Sequence, residues 1–290
     1  MNNLFYFNIT YKCNNNCKSC CSFNTRGKSK RFVTADDIKS IAEKFNCTDS
    51  DVFIISGGEP TLSEQFDDIV NYCMSKSKHI ILYTNGRNTQ NINADNFERI
   101  IVPLYGKESA HNSYVGNINA YAETIRTLKS IIENNPDKIE LKLLINKLSD
   151  MKAFVTSDDW NVLRNNNRFS ISRVIKPKTD VNDEVYQFAE DLIVDLLAQG
   201  KMVKFYDLPF CKFGADFQKM VLERYDCHLN TQYKIICGSQ YGRYTVFDFN
   251  KRADYNIDCA NCNQSIFCTK IMQNYYCPVL TSEKCWIGTE

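Results

Sequence analysis

The segment Cys13-Asn-Asn-Asn-Cys17-Lys-Ser-Cys20 places three cysteines on one short stretch, directly after an apolar run at residues 4–7. Spacers of three and two residues let one loop reach three corners of a cubane iron–sulfur cluster, which leaves one iron without a protein ligand. An open iron can bind substrate. The alternative is a zinc site built from these three cysteines and Cys21, but closed structural zinc sites usually combine two separated cysteine pairs. The spacing therefore favours a cluster with one open iron.

Short apolar runs recur along the first two thirds of the chain, and helical patterns separate them. The runs cover residues 4–7, 52–55, 80–83, 100–102, 141–145 and 170–175. Several are apolar on both faces, as parallel strands are when crossover helices cover them, although short buried helices share this pattern. Six such units with right-handed crossovers predict an α/β fold, a partial (β/α)6 TIM-like barrel with its site at the carboxyl ends of the strands.

Capping residues predict where the helices begin and end. Thr34 is suited to cap a helix over residues 35–44, with Asp37 as its capping-box partner, and Ser63 is expected to start the next helix. A later helix carries one apolar stripe, and Gly200 is its expected stop. The stripe consists of Val185, Phe188, Ala189, Leu192, Ile193, Leu196 and Leu197. This stripe is assigned to the core and to no function.

The alternation of strands and helices ends near Tyr206, and a cysteine-rich, helix-poor tail follows. We therefore predict a core domain over residues 1–206 and a smaller cysteine-rich domain over residues 207–290. A chain of 290 residues is long enough for both.

Composition limits which cellular compartment and which classes of partner are expected for the chain. The formal charge is +1, so no broad positive field gathers phosphates, and nucleic acid is a poor candidate for the substrate. There is no signal peptide and no segment long enough to span a bilayer, which predicts a cytoplasmic protein without a membrane partner. Thiols stay reduced in the cytosol, so the 14 cysteines favour metal ligation over disulfides. Six lie between Cys13 and Cys73 and eight between Cys211 and Cys285, which implies two metal regions.

Two further motifs follow the second and third predicted strands. They are Ser56-Gly57-Gly58-Glu59-Pro60 and Thr84-Asn85-Gly86. Adjacent glycines permit a close backbone approach that a side chain would prevent. Taken alone, each motif is also an ordinary tight turn. All three motifs follow strands, so we expect them to lie at the same end of the sheet.

With these motifs the sequence resembles the radical S-adenosylmethionine (SAM) superfamily, whose hallmark is three cysteines at this spacing on the loop after the first strand. The resemblance implies that Cys13, Cys17 and Cys20 hold a [4Fe-4S] cluster. It also implies that Gly57, Gly58, Glu59, Pro60 and Asn85 bind SAM, with the glycine-rich motif at its amino end.

The region of the fourth strand resembles radical SAM enzymes that mature peptides and proteins. It reads Val102-Pro103-Leu104-Tyr105-Gly106, then His111-Asn112-Ser113-Tyr114-Val115-Gly116. Related enzymes often have a serine at the position of Pro103 and an arginine at that of Val115, both near the SAM carboxylate. An aromatic residue also commonly precedes the third cysteine, where this chain has Ser19.

The resemblance implies a defined chemistry. A low-potential donor such as flavodoxin or ferredoxin reduces the cluster, and SAM chelates the open iron through its amine and carboxylate. Reductive cleavage then gives methionine and a 5′-deoxyadenosyl radical, which abstracts hydrogen from an unactivated carbon. The protein binds, orients and shields these groups.

The tail resembles, in reduced form, the SPASM and Twitch extensions that hold auxiliary iron–sulfur clusters. This resemblance implies one auxiliary [4Fe-4S] cluster held by Cys211, Cys259, Cys262 and Cys268. Zinc at the same thiolates is the alternative. Met272 occupies the position of the next SPASM cysteine, so two regular clusters are not supported. A second auxiliary cluster, a zinc site or buried thiols remain open for Cys227, Cys237, Cys277 and Cys285. Cys47 and Cys73 are expected to be packing residues.

We expect the substrate to be a ribosomally made peptide or a protein side chain. The segment before Cys13 is too short for a leader-binding domain, so the barrel mouth, the tail or a separate partner is expected to recognise it. One alternative is a radical SAM enzyme that acts on a small molecule or nucleoside. The alternative from another class is a non-catalytic binding protein stabilised by zinc.

Overall fold

One nine-stranded sheet with helices against it makes up the computed structural model, which describes residues 3–18, 20, 32–88, 92–173, 183–206, 208, 212–224, 234–238 and 244–248. The strands are β1 (Asn3–Asn8), β2 (Val52–Ser56), β3 (His79–Tyr83), β4 (Arg99–Leu104), β5 (Ile139–Ile145), β6 (Arg168–Arg173), β7 (Met202–Tyr206), β8 (Lys234–Gly238) and β9 (Tyr244–Asp248). The helices are α1 (Ala35–Lys44), α2 (Phe66–Lys76), α3 (Glu108–Val115), α4 (Ala120–Asn134), α5 (Leu148–Val155), α6 (Asp158–Leu163), α7 (Asp183–Ala198) and α8 (Ala215–Arg224). Within these ranges, none of the helices is long and apolar enough to cross a membrane.

The strand order is β7-β6-β5-β4-β3-β2-β1-β8-β9, and every neighbouring pair is parallel except β8 and β9. Seven strands in sequence order are the arrangement of an open TIM-like barrel, so the predicted fold class is confirmed. Among the described strands, β7 and β9 form the two edges. The predicted count of six strands was too low. Lys204 interrupts the apolar pattern of β7, and this hid the seventh strand from a search for apolar runs.

The residues that follow Tyr206 are less separate from the barrel than their composition indicates. Strand β8 pairs in parallel with β1, so it continues the same sheet on the far side of the first strand. Helix α8 also lies in this part of the chain. The division at residue 206 stays a prediction, because residues 249–290 lie outside the described ranges.

Local capping chemistry sets several helix boundaries as predicted. The Thr34 hydroxyl accepts from the Asp37 N–H at 3.1 Å and the Asp37 carboxylate accepts from the Thr34 N–H at 2.9 Å, so α1 begins with the expected capping box. Gly200 adopts φ +72° just after α7. The expected helix start at Ser63 was wrong. Its N–H donates to the Pro60 carbonyl and ends a short 3-10 helix, and α2 begins at Phe66.

Two faces of the sheet have different chemistry. The helix-covered face forms the main hydrophobic core, and it includes Cys73, while Cys47 packs against its edge, as predicted. Burial raises the pKa of Cys47 to about 12, so this thiol is not a reactive one. We call the opposite side the inner face. Across β1 to β4 it is apolar and is built from Leu4, Ile54, Ile81 and Ile101.

Charged groups replace these apolar side chains on the inner face of β4 to β7. Glu140, which pairs in register with Ile101 on β4, is buried beside Arg99 and Lys204. Its Oε2 accepts from Lys204 Nζ at 2.7 Å and from Arg99 Nη1 at 3.1 Å. Glu140 and Arg99 stand near the amino ends of their strands, away from the edge where the sequence motifs meet.

Candidate functional site at the carboxyl edge of the sheet

The cysteine segment follows β1 and lies at the carboxyl edge of the parallel strands. Cys13, Cys17 and Cys20 are all half-buried. The N–H of Asn15 donates to Cys13 Sγ at 3.4 Å, so the loop turns its own backbone donor toward the first thiol. Three other elements bond to this loop, and each has a distinct role.

The loop after β2 binds the residues that lead into Cys13. Gly58 N–H donates to the Thr10 carbonyl at 2.7 Å, and Glu59 N–H donates to the Lys12 carbonyl at 2.8 Å. A Cβ on Gly58 would lie 2.3 Å from the Lys12 oxygen, and one on Gly57, whose φ is +150°, would lie 2.5 Å from the Thr10 oxygen. Both glycines are therefore required by the cysteine loop itself. A role of this motif in binding SAM stays a prediction.

The carboxylate of Glu59 is fully buried and joins the loop after β2 to the loop after β3. Oε1 accepts from the Thr61 hydroxyl at 2.8 Å, from the Thr61 N–H at 3.2 Å and from the Thr84 hydroxyl at 2.8 Å. Oε2 accepts from the Asn85 N–H at 2.7 Å. Burial raises the pKa of Glu59 above its ordinary value, although these hydrogen bonds oppose the change. The side chain therefore holds two functional loops at a fixed separation.

The loop after β3 reaches the cysteine segment through two side chains. Asn85 Nδ2 donates to Asn14 Oδ1 at 2.6 Å. Arg87 Nη1 donates to the Asn14 carbonyl at 2.5 Å and to Asn15 Oδ1 at 2.9 Å. Asn85 was predicted from its motif, whereas Arg87 was not.

Helix α4 supports this second loop from behind. Glu123 Oε2 accepts from Arg87 Nε at 2.6 Å, and the Thr124 hydroxyl donates to the Asn85 carbonyl at 2.9 Å. Gly86 has φ +76°, and a Cβ there would lie 3.1 Å from Thr124 Cγ2. The glycine of the motif therefore allows the turn to lie against α4.

The end of α3 supplies the third contact. Asn16 N–H donates to the Val115 carbonyl at 2.6 Å, and Lys18 N–H donates to the Tyr114 carbonyl at 3.0 Å. Gly116 ends the helix in the left-handed region, and a Cβ there would lie 2.8 Å from the Asn16 oxygen. Val115 is thus buried beside the cysteine loop and contacts it through its backbone.

His111 lies in the same helix, between the rings of Tyr105 and Tyr121, at centroid distances of 5.7 and 5.9 Å. It is buried, and neither ring nitrogen has a hydrogen-bond partner among the described residues. Burial, with a smaller contribution from the charge of Arg87, lowers the pKa of His111 to about 4. The imidazole is therefore neutral at physiological pH.

The donor set of the loop fits an iron–sulfur cluster. Three half-buried thiols share one loop, and the Asn15 N–H already bonds to one sulfur, as is common around cluster sulfurs. Among the described residues, no three His, Cys, Asp or Glu side chains converge on one metal ion. A cubane spreads its thiolates over separate corners and does not need such convergence. The four-cysteine zinc alternative includes Cys21, which lies outside the described residues.

The predicted auxiliary site cannot be located in the same way. Its cysteines, Cys211, Cys259, Cys262 and Cys268, lie outside the described residues, as do Cys227, Cys277 and Cys285. Cys237 lies in β8, opposite Tyr6 of β1, and packs against the apolar part of the inner face.

Sequence reasoning missed the residues whose side chains make the contacts that fix the cysteine loop, two of them within the loop and three outside it. These are Asn14, Asn15, Arg87, Glu123 and Thr124. One signal was available, since Arg87 directly follows the Asn-Gly turn at the carboxyl end of a strand. Its partner on α4 carried no signal, because Glu123 is an ordinary helix residue until the fold brings it to Arg87.

Comparison with protein families agrees with this geometry. Residues 7–145 match the Radical SAM superfamily model. They therefore form a radical SAM domain. The match begins in β1 and ends with β5, so it contains the cysteine loop, both supporting loops and α3 and α4. The resemblance inferred from the three motifs is confirmed.

Two curated relatives of this chain come from Methanosarcina barkeri. An AdoMet-dependent heme synthase is 24% identical over 128 residues, which is 42% of this chain and 37% of the relative. An Fe-coproporphyrin III synthase is 23% identical over 146 residues, which is 49% of this chain and 36% of the relative. The chain thus matches little more than a third of the length of either protein.

Solved structures extend the likeness over the whole fold. Streptococcus suis SuiB bound to its precursor peptide SuiA superposes with a TM-score of 0.61 at 13% identity, covering 98% of this chain and 76% of SuiB. The enzyme anSMEcpe with bound AdoMet and a Cp18Cys peptide gives a TM-score of 0.53 at 12% identity, covering 99% of this chain and 92% of that one. At such low identity the likeness is one of fold.

Proposed function

We propose that this chain is a radical SAM enzyme that binds a [4Fe-4S] cluster through Cys13, Cys17 and Cys20. The observation that carries the proposal is the fixation of the cysteine loop. Elements after β2 and β3, together with the end of α3, all bond to residues 10–18. These bonds fix the path of residues 10–18, which include Cys13 and Cys17, at the carboxyl edge of the sheet.

The surrounding residues have separate tasks in this proposal. Gly57, Gly58, Glu59 and Pro60, together with Asn85, form the wall next to the cysteine loop where the methionyl end of SAM would bind. When bound, the cluster supplies the electron that converts SAM to methionine and a 5′-deoxyadenosyl radical, with hydrogen abstraction from the substrate as the next step. Glu59 keeps the wall fixed, because all of its bonds go to protein donors.

The test begins with protein purified without oxygen. We expect brown protein that contains iron and sulfide and produces 5′-deoxyadenosine from SAM with dithionite. Replacement of Cys13, Cys17 and Cys20 by Ala should abolish this cleavage and leave any iron in the tail. Cys47→Ala is the matched control, because Cys47 is also a half-buried thiol but lies in another part of the fold. A colourless zinc protein, or a triple variant that still cleaves SAM, would contradict the proposal.

Post-translational modification of a ribosomal peptide or protein is the proposed reaction class. Its support is the fold likeness to SuiB and anSMEcpe, both of which have solved structures with a bound peptide. The second candidate is a small-molecule substrate, because the curated sequence relatives are named as a heme synthase and an Fe-coproporphyrin III synthase.

These two candidates can be separated without knowing the substrate. A cell extract is divided by ultrafiltration into a macromolecular fraction and a small-molecule fraction, and each is added to the enzyme with SAM and dithionite. Formation of 5′-deoxyadenosine above the background rate should follow the macromolecular fraction and be lost after protease treatment. Stimulation by the small-molecule fraction alone would favour the second candidate.

For the tail we propose one auxiliary [4Fe-4S] cluster at Cys211, Cys259, Cys262 and Cys268. Four thiolates leave no open iron, so its role would be to accept an electron or to shape the pocket. Replacement of Cys259 and Cys262 by Ala should remove about four irons per chain. SAM cleavage should survive while product formation fails. Unchanged iron content, or zinc in place of iron, would contradict this assignment. A low-potential flavodoxin or ferredoxin is the proposed electron donor.

A further inference from the structure

We infer that Arg87 and Glu123 form a positioning pair that sets both the conformation of residues 13–17 and the charge beside them. This inference rests on the proposed function only in naming the cluster as the group whose properties respond. The pair lies outside the three sequence motifs, and neither residue is a ligand.

The first observation is the number of bonds that Arg87 makes to the cysteine loop. Its guanidinium is almost fully buried, with 9% of the side chain exposed. One nitrogen, Nη1, bonds to the carbonyl of Asn14 and to the side-chain oxygen of Asn15, which are the two residues after Cys13. A planar guanidinium offers donors in a fixed geometry, so these bonds set the conformation of the backbone after Cys13.

The second observation links these bonds to a thiol. Arg87 holds the side chain of Asn15, and the backbone N–H of Asn15 donates to Cys13 Sγ. Hydrogen bonds to the ligand sulfurs are among the factors that set the reduction potential of a cluster. Loss of Arg87 should therefore weaken a bond at the first cluster ligand, although Arg87 itself does not touch the sulfur.

The third observation concerns charge. Glu123 bonds to Arg87 Nε at 2.6 Å, so the positive charge beside the loop is balanced by a helix residue. The charge of Arg87 acts on a neighbouring group of the site, since it contributes to the lowered pKa of His111. Removal of Glu123 would leave an uncompensated cation near the cluster, which favours the reduced, more negative state of the cluster.

These observations predict opposite changes from two neighbouring substitutions. Arg87→Gln removes the cation and loosens the Asn15 contact, so the reduction potential should become more negative. Glu123→Gln keeps an acceptor oxygen for Arg87 and removes the negative charge, so the potential should become more positive. Arg87→Lys keeps a charge without the planar geometry. Its potential should lie closer to that of the unaltered protein than the potential of Arg87→Gln does.

The experiment is a redox titration of the full-length protein, followed by electron paramagnetic resonance. The signal that changes on addition of SAM identifies the cluster at Cys13, Cys17 and Cys20. Lys129→Gln is the matched control, because Lys129 lies on the same helix as Glu123, α4. Its 2.7 Å ion pair is with Asp159 of α6 and not with the cysteine loop. This control should not change the potential.

Hydrogen exchange keeps the inference testable if a variant fails to retain iron. In the iron-free full-length chain, the amides of residues 14–18 should exchange about tenfold faster or more in Arg87→Gln and Arg87→Lys, because a hydrogen bond from a charged group is lost. Amides of β5 should be unaffected.

Shifts of the same sign in Arg87→Gln and Glu123→Gln would overturn the inference. So would potentials and exchange rates that match those of Lys129→Gln. A failure of the proposed function has a different signature, because the unaltered protein would then bind no iron and cleave no SAM.

Discussion

Glu59 and Glu140 are both fully buried carboxylates, but their surroundings and their roles differ. Glu59 stands at the carboxyl edge of the sheet and is bonded by neutral donors from Thr61, Thr84 and Asn85. Glu140 stands near the amino ends of the strands and is paired with two cations, Lys204 and Arg99. One carboxylate organises the site, whereas the other neutralises charge inside the barrel.

Their pKa values move in opposite directions for this reason. Burial raises the pKa of Glu59, because hydrogen bonds from neutral groups only partly replace water. Burial would also raise the pKa of Glu140, but the charges of Lys204 and Arg99 outweigh it and lower the pKa below its ordinary value. Burial alone therefore does not decide whether a carboxyl group is charged, because its neighbours do.

The largest expected effect is that of Glu140→Leu. This change leaves Arg99 and Lys204 as buried cations without their shared carboxylate, and we expect a loss of about 3–5 kcal/mol in the free energy of unfolding. Urea denaturation measures the loss. The control is Lys129→Gln, which breaks a partly exposed ion pair and should cost less than about 1 kcal/mol. Equal losses in both variants would show that the buried Glu140 cluster contributes no more to the free energy of unfolding than a partly exposed ion pair does.

Glu59→Gln should have a smaller effect on stability and a larger one on the site. A Gln side chain presents an NH2 group to at least one donor, so one hydrogen bond is lost and about 1–3 kcal/mol of stability with it. Because a bond between the loops after β2 and β3 is lost, iron bound per folded chain should fall. Folded Glu140→Leu protein should keep its iron. The opposite pattern in an iron assay would reverse the roles that we assign to the two carboxylates.

The pH dependence of stability should distinguish the same two groups. The folded-state pKa of Glu140 is lowered, so its contribution is present above its unfolded value of 4.5 and is lost as the pH falls through the lowered pKa. The folded-state pKa of Glu59 is raised, so its cost appears as the pH rises from 4.5 toward the raised pKa.

The measurement is a series of urea denaturations of iron-free protein at different pH values. Each curve is compared with that of the corresponding Gln variant. The stability advantage of the unaltered protein over Glu140→Gln should shrink as the pH falls below 4.5. Its advantage over Glu59→Gln should instead shrink as the pH rises above 4.5. Two differences with the same direction of change would contradict the assigned pKa directions.

The smallest effect is expected for a third carboxylate, Glu64, whose side chain is 88% exposed. It forms a 3.4 Å ion pair with Lys12, the residue directly before Cys13, the first thiol of the cysteine loop. Exposed pairs of this kind contribute little, because water and salt screen them. Glu64→Gln should leave the unfolding curve and the iron content unchanged. A clear change in iron content would show that the charge of Lys12 matters to the loop.

The amino-acid sequence by itself determined the local features of this protein. Apolar runs predicted the first six strands, and the Thr34 and Asp37 capping box predicted α1 to the residue. The three motifs predicted which loops meet at the carboxyl edge. These features depend on side chains close together in the chain, so their chemistry can be read from short segments.

Only the tertiary structure decided which distant groups face one another. Arg87 reaches Asn14 across 73 residues, and Lys204 reaches Glu140 across 64. The small size of Gly58 is required by the carbonyl of Lys12, a contact that its own motif does not reveal. Such contacts depend on the order and register of the strands. The sequence around a polar residue therefore does not predict which distant partner the fold will place beside it.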